Sequence, residues 1–109
     1  MMNWIALTSL AQLTEIDELS KIQPVMIFKH STRCNISSMA LSRVESKWND
    51  ELGVKAYYLD LLSYRDVSDV ISTRYKVTHQ SPQALLIVNG MCAAHQSHSG
   101  INVGELLNH

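Results

Sequence analysis

The chain has little cysteine, since Cys34 and Cys92 are the only two in 109 residues. Small secreted domains that depend on disulfides usually carry several pairs, so this sequence does not predict a disulfide-stabilised scaffold. In a reducing compartment, a lone reactive thiol more often has a catalytic or regulatory role than a structural one. Each thiol is therefore a separate candidate for a functional residue.

An excess of charge of one sign is also lacking. Nine basic and ten acidic residues give a formal net charge of −1, with no block of like charge. This excludes the electrostatic signature of a nucleic-acid-binding or membrane-surface protein. No apolar run is long enough to span a bilayer, and the N-terminus has no basic segment followed by an apolar one. We expect a cytoplasmic protein with no nucleic-acid or membrane partner.

Glycine and proline are scarce, with four and two residues, so the elements must be assigned from the periodicity of apolar side chains. A hydrophobic content of 46% over 109 residues suits a single domain spanning 1–109. Residues 4–7 and 54–60 predict two strands. The apolar run 25–28 is typical of a strand covered on both faces, and we expect it to be a central parallel strand.

Helical spacing between these strands predicts two helices. The first ends near Lys21 and begins at either Ser9 or Thr14, both of which suit a cap. The second begins at Cys34, ends near Asn49 and is broken by Gly53. Its predicted core-facing side chains recur at helical spacing and are Ile36, Met39 or Ala40, Val44 and Trp48.

Two further helices and a hairpin complete the chain. Ser63 and Asp66 form a predicted capping box for the third helix. The apolar face of that helix comprises Val67, Val70, Ile71 and Tyr75. Asn89-Gly90 readily takes the positive φ angles of a tight turn, and joins predicted strands at 83–88 and 91–95. The last helix begins at Asn102, has Glu105 three residues on, and runs to the C-terminus. The order is βαβαβαββα, an α/β fold with a mixed central sheet.

Cys34 is the strongest candidate for a functional residue because it lies at the turn from the central strand into the second helix. The unpaired N–H groups and the positive end of the helix dipole favour thiolate over thiol at such a position. Ser37 stands where a dithiol oxidoreductase carries its second cysteine, so no disulfide can form across the turn. The sequence predicts a redox or nucleophilic site that works with one thiol.

Residues around this turn have more than one interpretation. Arg33 favours the thiolate, meets a substrate carboxylate, or is an ordinary solvated charge. Ser37 donates to the thiolate or bonds a nearby carbonyl as a helix residue. His30 tunes the thiolate or ends its strand as a partly exposed polar residue. Cys92 lies in the last strand, where we favour a buried inert thiol over a resolving partner for Cys34.

A possible metal site is the pattern Cys92-x-x-His95-x-x-His98, which His79 would complete. A two-residue spacing does not keep side chains on one face of a strand. We therefore expect no metal ligands and no bound cofactor.

The order of elements, the thiol after the second strand and Ser81-Pro82 before the hairpin resemble the thioredoxin fold over essentially the whole chain. More narrowly, the chain resembles the monothiol bacilliredoxin family. The motifs of that resemblance are Phe28-Lys29-His30-Ser31-Thr32-Arg33-Cys34, Ile36-Ser37, Gln80-Ser81-Pro82-Gln83, Asn89-Gly90 and His95-x-Ser97-His98. The family often has proline directly after the cysteine, whereas this chain has Asn35, which keeps a backbone N–H.

The resemblance implies a thioredoxin-like enzyme that removes bacillithiol from protein cysteines, with Cys34 as nucleophile and Pro82 as the cis-proline. Its partners are then S-bacillithiolated proteins, and bacillithiol is a co-substrate. A cis bond at Pro82 turns the Ser81 backbone towards the sulfur, where it can pair with an extended substrate segment. The residues assigned to substrate binding are Arg33, Asn35, Ser37, Ser81 and Pro82.

Two other functions remain open from the sequence. One is a non-catalytic adaptor that uses a thioredoxin fold only to dock other proteins. The other is a thiol redox sensor, in which modification of Cys34 changes a partner interaction. Catalytic turnover separates the enzyme from both.

Overall fold

The computed structural model describes residues 2–108, whose helices and strands follow the predicted order βαβαβαββα. The five strands are β1 (Trp4–Ala6), β2 (Val25–His30), β3 (Lys55–Asp60), β4 (Gln83–Val88) and β5 (Met91–Ser97). The four α-helices are α1 (Ala11–Leu19), α2 (Asn35–Lys47), α3 (Arg65–Tyr75) and α4 (Val103–Leu106). Short 3₁₀ turns cover Asp50–Leu52 and His98–Gly100. No helix in this part of the chain is long and apolar enough to cross a membrane.

The strands form one mixed sheet in the order β1-β3-β2-β4-β5. β3 pairs in parallel with both β1 and β2, whereas β4 is antiparallel to β2 and to β5. The predicted central strand is confirmed, and it continues two residues further than the apolar run. All six residues of β2 are buried, including Lys29 and His30.

Alternation along β2 divides the core into two layers. Val25 and Ile27 pack with α1 and α3 on one face of the sheet. Met26 and Phe28 pack with α2 and α4 on the other. The same alternation places the Lys29 side chain under α3 and the His30 side chain under α2.

The inward face of α2 differs from the one predicted. Ala40 and Val44 are buried as expected, but the third buried residue of the helix is Ser37. Ile36 and Met39 are 56% and 63% exposed, so their predicted place in the core is wrong. Residues 37, 40 and 44 share one side of the helix at i, i+3 and i+7, and this turns residues 36 and 39 outward.

The predicted caps of α1 and α3 are wrong, although both helices are present. Neither Ser9 nor Thr14 caps α1, which starts after Leu10. The Ser9 hydroxyl donates to Gln12 Oε1 at 3.4 Å instead. The Ser63 hydroxyl does not cap α3 and donates to Asp60 Oδ2 at 2.9 Å. In each case, a polar side chain close in sequence competes for the capping group.

The hairpin and the start of α4 agree with the sequence. Asn89 and Gly90 have φ values of 52° and 75°, as a tight turn of this type requires. The Asn102 side chain accepts the N–H of Glu105 at 3.1 Å and caps α4. The helix ends at Leu106, and the predicted continuation reaches His109, which lies outside the described residues.

Candidate active site

Cys34 occupies the N-cap position of α2, where the sequence predicts it, with extended backbone angles. The residue is half-buried and its thiol is free. Its N–H donates to the Ser31 carbonyl at 3.1 Å, and its carbonyl accepts the N–H of Ser38 at 3.0 Å. Within residues 2–108, the sulfur accepts no hydrogen bond from the first turn of the helix. The helix dipole therefore acts on the sulfur without a direct capping bond.

A buried serine–histidine pair supports this turn from beneath. Ser37 Oγ lies 2.7 Å from Nδ1 of His30 and accepts the backbone N–H of Ser31 at 3.0 Å. Ser37 is fully buried and His30 is 4% exposed. The expectations that Ser37 bonds a carbonyl and that His30 is a partly exposed strand end are wrong. The pair ties the end of β2, the turn and the start of α2 together.

Burial decides the charge of this pair. Desolvation lowers the pKa of His30 below its usual value, and it outweighs the opposing effects of Asp60, the Ser37 hydrogen bond and Glu45. The ring is thus neutral at pH 7. With the proton on Nε2, Nδ1 accepts the Ser37 hydroxyl proton while Ser37 Oγ accepts from Ser31. Ser37 is fully buried beneath the turn, where it contacts His30 and Ser31, so it supports the turn rather than facing substrate.

Replacing Ser37 by alanine tests this support. Ser37→Ala leaves the buried His30 ring nitrogen and the Ser31 N–H without a partner, so the free energy of unfolding should fall by about 2 kcal/mol. Urea denaturation measures the change. Ser38→Ala, in the exposed neighbouring position of the same helix, is the control and should alter stability by less than about 0.5 kcal/mol. Equal stability of the two variants would contradict a supporting role for the Ser37 hydroxyl.

The Ser81–Pro82 loop lies at the same end of the sheet as Cys34. Gln83 pairs with Lys29 across the β4/β2 ladder, so the loop before β4 adjoins the turn after β2. The peptide bond between Ser81 and Pro82 is cis, as the resemblance implies. Pro82 is buried, and the buried Ser81 hydroxyl has no hydrogen-bond partner within residues 2–108.

An open groove lies along the outer side of α2. Ile36, Met39 and Arg43 share this side of the helix, and with His98 and Ser99 they line a groove of about 220 Å³. Arg43 donates to the His98 carbonyl at 3.2 Å, and the His98 N–H donates to the Pro82 carbonyl at 3.0 Å. The helix and the cis-proline loop are thereby connected through one turn of chain.

The remaining predicted substrate-binding residues lie at the surface beside the thiol. Arg33 and Asn35 flank Cys34 and are both exposed. Within the described residues, Arg33 forms no ion pair with an acidic side chain. Its guanidinium is therefore available to an incoming carboxylate.

Cys92 lies too far from Cys34 to form a disulfide with it. Cys92 pairs with Ile87, which in turn pairs with Val25 at the opposite end of β2 from His30. Five residues of strand span about 16 Å, whereas bridged cysteines need Cα atoms within about 7 Å. Cys92 is half-buried rather than fully buried. Desolvation raises the pKa of its thiol, against the effect of backbone hydrogen bonds at Ala94 and Leu86. This supports the interpretation of Cys92 as an inert thiol.

A second polar cluster, which the sequence analysis did not identify, lies behind the site. Lys29 is fully buried, and its Nζ is 2.9 Å from Nδ1 of His79. The signal for this cluster in the sequence is that the apolar run continues directly into Lys29 and His30 within one strand.

Among the described residues, no group of three or more His, Cys, Asp or Glu side chains is close enough together to hold a metal ion.

Comparison with known proteins agrees with this geometry. The family model described as monothiol bacilliredoxin BrxC matches residues 5–106. A solved structure described as a candidate oxidoreductase with a thioredoxin fold is 36% identical, with a TM-score of 0.83, and the match covers 96% of this chain and 91% of that one. Thioredoxin from Fasciola hepatica is 17% identical, with a TM-score of 0.71 and coverage of 94% and 92%. Thioredoxin from Trypanosoma brucei brucei is 15% identical, with a TM-score of 0.76 and coverage of 97% and 86%. The two thioredoxins show likeness of fold alone.

Proposed function

Because the chain belongs to the monothiol bacilliredoxin family, we propose that it removes bacillithiol from protein mixed disulfides by a one-thiol mechanism through Cys34. The observation that carries this proposal is the isolation of the Cys34 thiol. A buried serine occupies the position of the second cysteine, and Cys92 lies at the other end of the sheet. A catalytic cycle in which Cys34 forms an intramolecular disulfide is thus unavailable to this chain.

The exchange proceeds in two balanced steps. The Cys34 thiolate attacks the bacillithiol sulfur of the mixed disulfide, the sulfur–sulfur bond breaks, and the protein cysteine leaves as a thiolate that takes a proton from water. Cys34 now carries bacillithiol in a new disulfide. The thiolate of a second bacillithiol attacks the bacillithiol sulfur of that adduct, which releases the Cys34 thiolate and bacillithiol disulfide.

Some residues around the sulfur bind the substrate, and others hold the active-site turn in place. Ser81 offers backbone groups to an extended substrate segment, while Arg33 and the backbone N–H of Asn35 face the small thiol. Ser37 keeps the turn in place through His30 and Ser31. Holding the disulfide in line with the sulfur supplies much of the acceleration, because orientation is worth more than activation of a single thiol.

Turnover of a defined substrate tests the proposed function. A bacillithiolated model protein is incubated with the Cys92→Ser protein and bacillithiol, and release of the model protein's free thiol is followed over time. We expect many turnovers per protein molecule, and a lower rate when glutathione replaces bacillithiol throughout. Release of free thiol no faster than without the protein would contradict catalysis.

Arg33 is expected to select for the small thiol. Bacillithiol carries a malate with two carboxylates, so Arg33→Ala should slow exchange with bacillithiol mixed disulfides about 3- to 10-fold, as loss of an exposed charge-assisted contact does. Cysteamine mixed disulfides lack carboxylates and should slow by less than twofold. Added salt should narrow the difference.

A basic residue at the far end of α2 from Arg33 provides the control for this effect. Lys47 is exposed at the far end of α2, about 18 Å along the helix, so Lys47→Ala should leave both rates unchanged. Identical slowing of both mixed disulfides by Arg33→Ala would reduce Arg33 to a general effect on the thiolate.

A further inference from the structure

Lys29 is a buried cation that the exchange chemistry does not use. Lys29 lies on β2, the strand that leads into the active-site turn, and precedes Cys34 by five residues. Its side chain points to the face of the sheet that α1 and α3 cover, opposite the face that α2 covers. Its Nζ lies 2.9 Å from Nδ1 of His79, a residue on the exposed segment between α3 and β4. Ser68 Oγ of α3 lies 3.5 Å from the same nitrogen. The lysine therefore connects the nucleophile's strand to the segment that ends in Pro82.

A second buried side chain makes a parallel connection. Gln83 is 1% exposed, stands directly opposite Lys29 in the ladder, and donates from Nε2 to the Thr78 carbonyl at 3.0 Å. Its Oε1 has no partner within residues 2–108. The neighbouring strands β2 and β4 thus each bind one residue of the same loop. Lys29 of β2 binds His79, and Gln83 of β4 binds Thr78.

We propose that Lys29 and His79 are positioning residues, which hold the loop 78–82 at the distance from Cys34 that docking of a protein mixed disulfide requires. This inference rests on the proposed function, because it assigns the loop a place in substrate binding. Lys29 touches no substrate and acts through the loop. Since Lys29 lies on β2 and Cys34 lies in the turn that directly follows β2, the position of the docking loop is fixed relative to the sulfur.

The proposal predicts a dependence on pH that follows from the bond itself. His79 Nδ1 accepts from Lys29 only while the ring is neutral, and protonation would set two cations face to face. The other charged groups near His79 are Asp69 and Arg65 of α3. The pKa of His79 is lowered by burial first, then by Lys29 and Arg65, with Asp69 opposing. Burial lowers the pKa of Lys29 to about 8, also against Asp69. Above the pKa of His79 and below about pH 8, the Lys29 ammonium donates to the neutral His79 ring.

Variants of His79, the exposed partner, test the proposal while the buried Lys29 side chain stays in place. His79→Ala removes the acceptor, and the KM for a bacillithiolated protein should rise about 3- to 10-fold with kcat within twofold, as loss of one charge-assisted bond predicts. Asn Oδ1 occupies nearly the position of His Nδ1, so His79→Asn should restore KM. His79→Asn should also abolish the rise in KM that wild type shows as the pH falls through the His79 pKa. His95→Ala, at an exposed histidine of β5, is the matched control.

Two further measurements do not depend on the substrate. The rate of Cys34 alkylation by iodoacetamide, in a Cys92→Ser background, should be the same in all of these variants. Amide hydrogen exchange over residues 78–81 should be faster in His79→Ala than in His79→Asn or wild type. Amide hydrogen exchange that is the same in His79→Ala and wild type, or slower alkylation of Cys34 in His79→Ala, would overturn the positioning role even if the proposed function holds. If no mixed disulfide turns over but the amide hydrogen exchange rates differ as expected, the proposed function fails and the role of Lys29 and His79 in holding the loop 78–82 remains.

Discussion

Cys34→Ser should reduce exchange with bacillithiolated protein by roughly 1000-fold or more, because a serine hydroxyl cannot form the sulfur–sulfur bond on which both steps depend. Cys92→Ser should keep the rate within about twofold of wild type. The two thiols differ by position: Cys34 occupies the N-cap position of α2 at the active-site end of the sheet, and Cys92 pairs with Ile87 at the opposite end.

The comparison is made by following release of free thiol from the same mixed disulfide with each single variant and with the double variant. The double variant should be as inactive as Cys34→Ser alone. Equal losses in the two single variants would contradict the one-thiol mechanism and would require Cys92 to reach Cys34 in some other conformation.

Lys29→Met should raise the free energy of unfolding at pH 7, an unusual direction for a substitution in a strand interior. The interval between the pKa of 10.5 for an exposed lysine and about 8 in the fold corresponds to about 3 kcal/mol of cost for burying the charge. Loss of the hydrogen bond to His79 offsets about 1 kcal/mol, which leaves a gain of about 2 kcal/mol. The same variant should raise the KM for protein substrate, so stability and docking should change in opposite senses.

The pH dependence of stability distinguishes this cause from better packing. Below about pH 8, Lys29 is charged in both the folded and the unfolded chain, and the cost of burial is fully present. As the pH rises from about 8 towards 10.5, the folded state loses the proton before the unfolded state does, so wild type gains stability. Urea denaturation should show that the difference in free energy of unfolding between Lys29→Met and wild type is smaller at pH 10 than at pH 7.

An exposed lysine provides the control. For Lys47→Met, the difference in free energy of unfolding from wild type should not shrink in this way between pH 7 and pH 10. A Lys29→Met protein that is less stable than wild type at pH 7, with a difference that does not change with pH, would contradict a buried charged lysine.

Local patterns predicted the parts of the fold whose causes are local. The apolar run in β2, the Asn89-Gly90 turn and the Asn102 cap each depend on residues close in sequence. The placement of Cys34 followed from a strand and a helix that meet at one residue. The predicted caps at Ser9 and Ser63 are wrong because these hydroxyls donate to the neighbouring side chains of Gln12 and Asp60.

The parts that the sequence could not predict depend on contacts between distant residues. The apolar run that continues into Lys29 indicates a buried lysine, but nothing near Lys29 indicates that its partner is His79, fifty positions away. Ile36 and Met39 have the spacing of core residues, but the serine at position 37 takes the inward side because it meets His30. Polar residues within a core are the usual departure from hydrophobic patterning, and here they surround the active-site turn.

The most direct test of the one-thiol account is the intact mass of the Cys92→Ser protein after exposure to a bacillithiolated model protein in the absence of free bacillithiol. We predict an increase equal to one bacillithiol in disulfide linkage, located on Cys34 by peptide mapping, together with one equivalent of reduced model protein. Subsequent addition of bacillithiol should return the mass to its original value. A covalent complex with the model protein as the only product, or an unchanged mass, would contradict the account.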